Sequence, residues 1–350
     1  MERMPYQVGI VGYGSSARIY HIPFIHASPY FHLYSVVQRQ VRPGQANAVT
    51  ELPGVKVFDS LDDMIQDENV HLVIITTPPG SHLELATAAL KVNKHVVVEK
   101  PFTTTFAEAE ALISLARERS LLLTGTLGRI VEVESHFDRF RPNLATNTWK
   151  AHPGPGNGAI YDLGTHLIDQ IVHLFGVPAR VTGFIGSKRT AAINATGLED
   201  SFTVLLHFED GMLATIKAGV ISPEIQQLLF WVRGDGASFR TYGLDPQEAQ
   251  LKRGVQPNSD GFGVEEGMDN YGVLTVVGSE DQSLGSKDVR LSSVVEQGNG
   301  TYSEFYSRLA SALKNGEPGQ LPVAADQAAQ VIRLVQLAQE SSKLGKTMIV

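Results

Sequence analysis

Six short runs, "YQVGIV", "HLYSVV", "VKVF", "HLVIIT", "HVVVEK" and "SLLLTG", constrain the fold of the first third of the chain more than any other feature. They read as near-continuous Val/Ile/Leu stretches rather than as alternating apolar and polar residues. A strand with apolar side chains on both faces has to be covered on both faces, which is the condition of a parallel sheet between layers of helices. Helix-like segments such as "SHLELATAALKVN" and "TFAEAEALISLARER" lie between the runs and supply the cover. These features predict a doubly wound parallel α/β domain over residues 1–124.

The pattern changes after that point. "RIVEVESHF", "RVTGFIGS", "SFTVLLHF", "MLATIKAGV", "QQLLFWVRG" and "ASFRTYG" are strand-like and joined by Gly, Asp and Pro turns. They predict a second, α+β domain over residues 125–350, built on a large, mostly antiparallel open sheet. One helix, from about Leu163 to Leu174, precedes most of this sheet. A long amphipathic helix closes the chain, with Ala328, Val331, Ile332, Val335 and Ala338 at helical spacing and Gly345 as its stop. The turn-rich stretch from Pro257 to Asp269 predicts a surface loop.

Composition narrows the partners. At 350 residues, 43% hydrophobic and 19% charged, the chain has the size and core material of two soluble domains. A formal charge of −8 without Lys/Arg clusters argues against nucleic acid or an anionic membrane as partner. The absence of cysteine excludes a Cys nucleophile, a disulfide framework and a Cys-ligated metal centre. No segment reaches the length of a membrane span and the N-terminus shows no cleavable leader, so the expected location is cytoplasmic.

Chemistry starts at "GYGSSA". Gly12, Gly14 and Ala17 fill G-x-G-x-x-G/A directly after a strand and before a helical segment, the setting that brings a dinucleotide pyrophosphate to a helix N-terminus. The acidic residue that would bind the adenosine ribose of NAD belongs about 20 residues further on, at the end of the second strand. No Asp or Glu lies between Glu2 and Glu51; the strand ends "VVQRQVR", with Arg39 at the expected place and Arg42 close behind. A guanidinium suits a 2′-phosphate, so NADP is the expected cofactor, with NAD as the alternative. Lys100 stands at the end of "HVVVEK", on the carboxyl edge where open α/β sheets bind ligands.

A second constellation lies in "YDLGTHLIDQ". On a helix Asp162, His166, Asp169 and His173 share one face, with Leu163, Leu167, Ile168 and Ile171 as apolar neighbours. Such spacing suits a metal site, an acid/base pair or ordinary helix chemistry, and Asp162 could equally be a helix N-cap. The stripe has no neighbouring Cys and lacks the paired His of H-E-x-x-H, so no metal is expected.

Taken together, "GYGSSA", "VIITTPPGSH" followed by "ATAALKVNKHVVVEKPF", "YDLGTHLIDQIVHLFG" and the Tyr302 to Phe305 Y-x-x-F pattern resemble the glucose-fructose oxidoreductase, inositol dehydrogenase and rhizopine-catabolism family, Gfo/Idh/MocA. "SHFDRFRP" and "YGLDPQE" look most like its branch of NADP-linked scyllo-inositol dehydrogenases. The resemblance implies a Rossmann domain followed by an open-sheet α/β domain, a polyol, cyclitol or sugar substrate, and a homodimer or homotetramer paired through that sheet. It gives Lys100 a contact with substrate hydroxyl and nicotinamide ribose, makes His166 the general base, and has Asp162 bind substrate or orient that histidine. Cofactor contacts are expected from Gly12, Tyr13, Gly14, Ser16, Ala17, Arg39, Thr77, Pro78, His82, Glu99 and Lys100, and substrate contacts from Arg141, Trp149 and Tyr161. Two departures stand out. Pro79 replaces the asparagine of the family's T-P-N, and "SLLLTGTLGRIVEV" joins the last Rossmann strand to the second domain without the turn and helix that relatives carry there. The second departure keeps an alternative open: a catalytically impaired nucleotide-binding sensor of the same fold.

Overall fold

A computed structural model of the chain describes residues 5–39, 41, 44–99, 102–105, 129–144, 152–190, 193–194, 196–235, 237–243, 245–264, 272–277, 290–295, 302–315 and 321–350. The chain divides into two compact units. One comprises Met1–Ser120, Asp245–Val264 and Asn299–Ala329; the other comprises Leu121–Leu244, Glu265–Gly298 and Gln330–Val350.

The first unit is built on a five-stranded parallel sheet of β1 (Tyr6–Val11), β2 (Phe31–Val37), β3 (Lys56–Phe58), β4 (Leu72–Ile75) and β5 (His95–Val98). Its spatial order is β3-β2-β1-β4-β5. The order reverses between β1 and β4, and the carboxyl ends of those two strands flank the crevice where such sheets take ligands. Helices α1 (Ile22–Ala27), α2 (Ala48–Glu51), α3 (Leu61–Ile65) and α4 (His82–Lys91) connect the strands. The apolar runs are buried on both faces. Val8, Ile10, Val36, Leu72 and Ile74 pack with Ile22, Phe24 and Ile25 of α1, while Val11, Val37, Val73 and Ile75 pack with Leu61, Met64 and Ile65 of α3 and Ala86 and Ala89 of α4. Each fully buried Ile of β4 contributes about 1.5–3 kcal/mol relative to exposure, which is why this strand carries no polar residue.

Two later segments also belong to this unit. They contain α6 (Gln247–Lys252) and α7 (Tyr302–Asn315), neither of which the sequence reading had marked as a helix. Leu251 of α6 and Tyr306, Leu309 and Ala310 of α7 join the α1 face of the core, where the Tyr306 ring stacks on Phe24 with centroids 6.3 Å apart. The expected surface loop after Pro257 is a series of turns, but Phe262 within it packs edge-on against Phe24.

The second unit holds a nine-stranded sheet in the order β13-β12-β11-β10-β6-β9-β8-β7-β14. The strands are β6 (Ile130–His136), β7 (Arg180–Gly186), β8 (Ser201–His207), β9 (Leu213–Gly219), β10 (Leu228–Gly234), β11 (Ala237–Tyr242), β12 (Gly272–Val277), β13 (Arg290–Val295) and β14 (Met348–Ile349). Every pairing is antiparallel except β6 with β9, so the sheet is mixed, close to the expected antiparallel pattern. Alternation sorts its faces. Val133, Val181, Phe202, Val204, Leu206, Ala214, Ile216, Ala218 and Val232 point to a core shared with α5 (Thr165–Phe175) and with Val331, Leu334, Val335 and Ala338 of the closing helix α8 (Ala325–Leu344). On the other face Arg233 pairs with Glu132 at 2.6 Å and Glu134 at 3.1 Å and lies over the Trp231 ring, and His136 sits between Glu134 and Asp138.

Candidate functional site

The glycine loop leaves β1 at the carboxyl edge of the first unit. Gly12 has φ +101°, and its N–H donates to Val37 O at 3.0 Å, so the loop is tied to β2 as it turns. A Cβ at Gly12 would stand 3.0 Å from Thr76 Oγ1, whereas a Cβ at Gly14 would meet nothing within 4 Å. The space in front of Gly14 is open, which is what a pyrophosphate approaching backbone amides requires, so the loop fits the dinucleotide its sequence implies. Ala17 is fully buried under the loop, as close helix–sheet packing demands. Tyr13 is buried within the core of the unit, and its hydroxyl donates to Glu51 Oε2 at 2.9 Å. Burial, then the neighbouring Glu51 carboxylate, raises the Tyr13 pKa. Arg18 completes this brace with an ion pair to Glu51 at 3.2 Å.

Arg39 lies two residues past β2 and is exposed. Its neighbour Gln38 faces inward: its amide donates to Ala46 O and accepts from the Ala48 N–H, both at 2.7 Å. That pairing fixes where the chain leaves the strand and so where Arg39 emerges. Arg42, Lys100 and Trp149 lie outside the described residues, as does the junction from Leu121 to Gly128 where the sequence departs from its relatives.

Past β4, Thr76 donates its hydroxyl to Val11 O at 3.0 Å and Gly12 O at 3.2 Å, bonding this loop to the glycine loop. Thr77 is half-buried and accepts from the Ser81 hydroxyl at 2.8 Å, and Pro78 is exposed. Pro79, in the place of the family's asparagine, opens a single tight turn, Pro79–Ser81, and is buried. His82, expected as a cofactor contact, is buried, and its ring nitrogens lie 2.8 Å from Thr77 O and 3.3 Å from Phe102 O. The ring therefore bridges the loops after β4 and β5.

Glu99 closes β5, its N–H donating to Ile75 O at 3.0 Å. Its carboxylate is not turned to solvent: Oε1 accepts from the Ser16 hydroxyl and lies 3.1 Å from His21 Nε2. The family resemblance points to Ser16 and Glu99 but not to His21, nor to Tyr306, whose hydroxyl is 2.8 Å from His21 Nδ1. No sequence signal would have found them, since His21 and Tyr306 are 285 positions apart.

In the second unit the motif helix begins with a widened turn, Ile160–Gly164, before the regular helix α5. Asp162 sits inside that turn with its N–H donating to Gly158 O at 3.0 Å; the cap positions belong to Ala159 and Gly164, so Asp162 is not an N-cap. The polar stripe is on the open side: Asp162 and Asp169 are half-buried and His166 and His173 exposed, while Leu163, Leu167, Ile168 and Ile171 are buried. Tyr161, expected as a substrate contact, is 6% exposed and belongs to the core of the unit. Arg141 is exposed, and its backbone is held at both ends: its N–H donates to Val220 O at 2.8 Å and its carbonyl accepts from the Arg189 guanidinium at 2.7 Å. Among the described residues no group of three or more His, Asp or Glu side chains is placed to hold a metal, and no helix is long and apolar enough to cross a membrane.

A parallel sheet with an open glycine loop at its switch point, accompanied by a separate open-sheet unit, defines a dinucleotide-binding oxidoreductase architecture. Residues 6–126 match the oxidoreductase family's NAD-binding Rossmann fold and residues 119–350 its C-terminal alpha/beta domain. The chain belongs to the Gfo/Idh/MocA oxidoreductase family. It is 35% identical to an uncharacterised oxidoreductase of Schizosaccharomyces pombe, over 98% of this chain and 99% of that one. It is 31% identical to the scyllo-inositol 2-dehydrogenase (NADP(+)) IolW of Bacillus subtilis, over 98% and 95%. Among solved structures, yvaA of Bacillus subtilis superposes with a TM-score of 0.87 at 30% identity, each chain covered in full. The alignment with the fission-yeast relative runs over 370 positions against a chain of 350 residues, so gaps fall within this chain.

Proposed function

We propose that the protein is an NADP-preferring oxidoreductase that moves a hydride between the nicotinamide cofactor and a secondary alcohol of a polyol, cyclitol or sugar. The carrying observation is the carboxyl edge of the first unit: space is open before Gly14, and exposed Arg39 stands where an NAD-binding carboxylate would otherwise be. A guanidinium there favours a 2′-phosphate through paired charge-assisted hydrogen bonds. The NADP(+)-linked inositol dehydrogenase among the relatives, and a galactose 1-dehydrogenase of Pseudomonas fluorescens 30% identical over half of this chain, support the substrate class.

When bound, the nicotinamide supplies hydride acceptance and donation. The protein's own groups handle the proton and the charge. His166, exposed on the polar stripe, takes the hydroxyl proton; Asp162, one turn earlier, binds substrate or orients the imidazole. The Lys100 ammonium stabilises charge developing on the substrate oxygen and holds the nicotinamide ribose. Pairing into a homodimer or homotetramer through the open face of the nine-stranded sheet belongs to the same reading, and light scattering tests it.

The experiment follows absorbance of the reduced cofactor against inositols, aldoses and ketoses, with Lys100→Ala, His166→Ala and Arg39→Ala. Turnover should be lost in the first two variants. Arg39→Ala should erase the NADP preference, a change of about tenfold or more for one lost charge-assisted contact. Turnover unchanged in Lys100→Ala and His166→Ala would refute the assigned roles. NADPH binding without turnover on any substrate would support the sensor, the reading that the direct junction "SLLLTGTLGRIVEV" keeps open.

A further inference from the structure

Half-buried Ser16 and Glu99 meet buried His21 and Tyr306 in one hydrogen-bonded group that links two segments of the dinucleotide edge. Ser16 is in the first turn after the glycine loop, where amides face a phosphate, and Glu99 directly precedes Lys100. Ser16 and His21 both reach the same oxygen, Glu99 Oε1. In an uninterrupted α-helix two residues five apart point about 140° away from each other. Here the segment Ala17–His21 is a π-turn, the rare wider turn with i→i+5 spacing, which brings His21 round toward the side that carries Ser16.

The protons can be assigned from the partners. Tyr306 is 3% exposed, and burial, then the nearby Glu99 charge, pushes its hydroxyl pKa well up, so it remains a phenol that donates. The Glu99 side chain is 18% exposed, and a carboxylate accepts, so His21 Nε2–H donates to it. The other ring nitrogen, Nδ1, is left to the Tyr306 hydroxyl, which bonds it from the opposite side.

We propose that His21 is a positioning residue for dinucleotide binding: through Glu99 it locks the helix after the glycine loop to the end of β5, with Tyr306 holding the imidazole by its other nitrogen. This rests on the oxidoreductase reading, and it gives the widened turn Ala17–His21 a purpose.

The test compares His21→Ala, His21→Gln and Tyr306→Phe by NADPH fluorescence titration and by hydrogen exchange at Gly14–Ser16 and at Glu99. His21→Ala should weaken NADPH binding about tenfold, the weight of one hydrogen bond to a charged group, and speed exchange at both segments. The Gln amide can donate from the place of Nε2, so His21→Gln should recover binding to within about threefold of wild type. Tyr306→Phe should fall between these two. Wild-type binding in His21→Ala, or His21→Gln as weak as His21→Ala, would overturn the proposal in favour of plain packing. If His21→Ala does not fold, His21→Gln and Tyr306→Phe decide: unchanged exchange and affinity in Tyr306→Phe refutes the relay. A wild-type protein that binds neither NADPH nor NADH sinks the oxidoreductase reading alone, and coordinated exchange changes at the two segments still decide the coupling.

Discussion

Substituting the two glycines of the loop one at a time separates what each does. Gly12→Ala puts a side chain on a residue at φ +101°, a region that costs an L-residue about 1 kcal/mol or more. The new Cβ would also stand 3.0 Å from Thr76 Oγ1. That hydroxyl cannot move freely, because it is bonded to Val11 O and Gly12 O, and disturbing it costs about another 1 kcal/mol. The sum, about 2–3 kcal/mol, corresponds to a melting temperature lower by about 5–10 °C for a unit of this size. Gly14→Ala should behave in the opposite way. Its Cβ meets nothing within 4 Å and φ is not positive, so stability should stay within about 0.5 kcal/mol. The methyl instead fills the space through which phosphate reaches the backbone amides, an overpacking cost of about 1–3 kcal/mol that lowers dinucleotide affinity about ten- to hundredfold. Calorimetry and NADPH titration on the two variants give the comparison directly. A Gly14→Ala protein that binds NADPH as wild type does would show that phosphate does not approach this loop. A Gly12→Ala protein with an unchanged melting temperature would refute the strain argument.

Three further outcomes are expected in the second unit. Gly183→Ala places a Cβ 2.2 Å from the backbone oxygen of Ala338, where no side chain can give way, so β7 must separate from α8 at a cost of about 3 kcal/mol or more in a denaturant titration. Asp200→Ala removes the buried acceptor of the Arg189 guanidinium, the Ser187 hydroxyl and the Lys188 and Arg189 N–H groups, and should cost about 3–5 kcal/mol of stability. Glu199 has a buried Oε1 without a hydrogen-bond partner, and burial raises its pKa above the usual carboxyl value of 4.5. The folded state then binds this proton more tightly than the unfolded chain, so stability falls as pH rises from about 4.5 through the raised pKa. Glu199→Gln should therefore be more stable than wild type above that range and match it at lower pH; equal melting curves at neutral pH would contradict this.

What the sequence discloses and what it hides differ in a physical way. β1, β2 and β4 are legible because burial on both faces demands unbroken apolar runs, and the inner strands of the second sheet because burial on one face demands alternation. The glycine loop is legible because its geometry is set by residues next to one another. Helices α6 and α7 are not, since what makes them part of the first unit is contact between Leu251, Tyr306 and a core formed more than 200 residues earlier. The same holds for the braces of the site. The His21–Tyr306 and His21–Glu99 contacts span 285 and 78 positions, so no local pattern announces them. The burial of His82 and Tyr161 is hidden for the same reason: each lies in a recognisable motif, but its packing is set by residues outside that motif.

Of the segments that leave the carboxyl edge of the parallel sheet, those after β1, β4 and β5 are each fastened to the other two. The Thr76 hydroxyl joins the loop after β4 to the glycine loop, His82 joins it to Phe102 beyond β5, and Glu99 joins the end of β5 to Ser16. Loops already held in one arrangement lose little conformational freedom on binding, and that loss otherwise subtracts about 0.5–1.5 kcal/mol for each side chain ordered. The polar groups that fasten the loops are therefore expected to act on affinity through the positions they give those loops. They are also expected to act together, because each brace limits how far the others can relax. A pair of substitutions within the set, His21→Gln with Thr76→Val, should then depart from additivity by more than the 0.3–0.5 kcal/mol seen for independent sites.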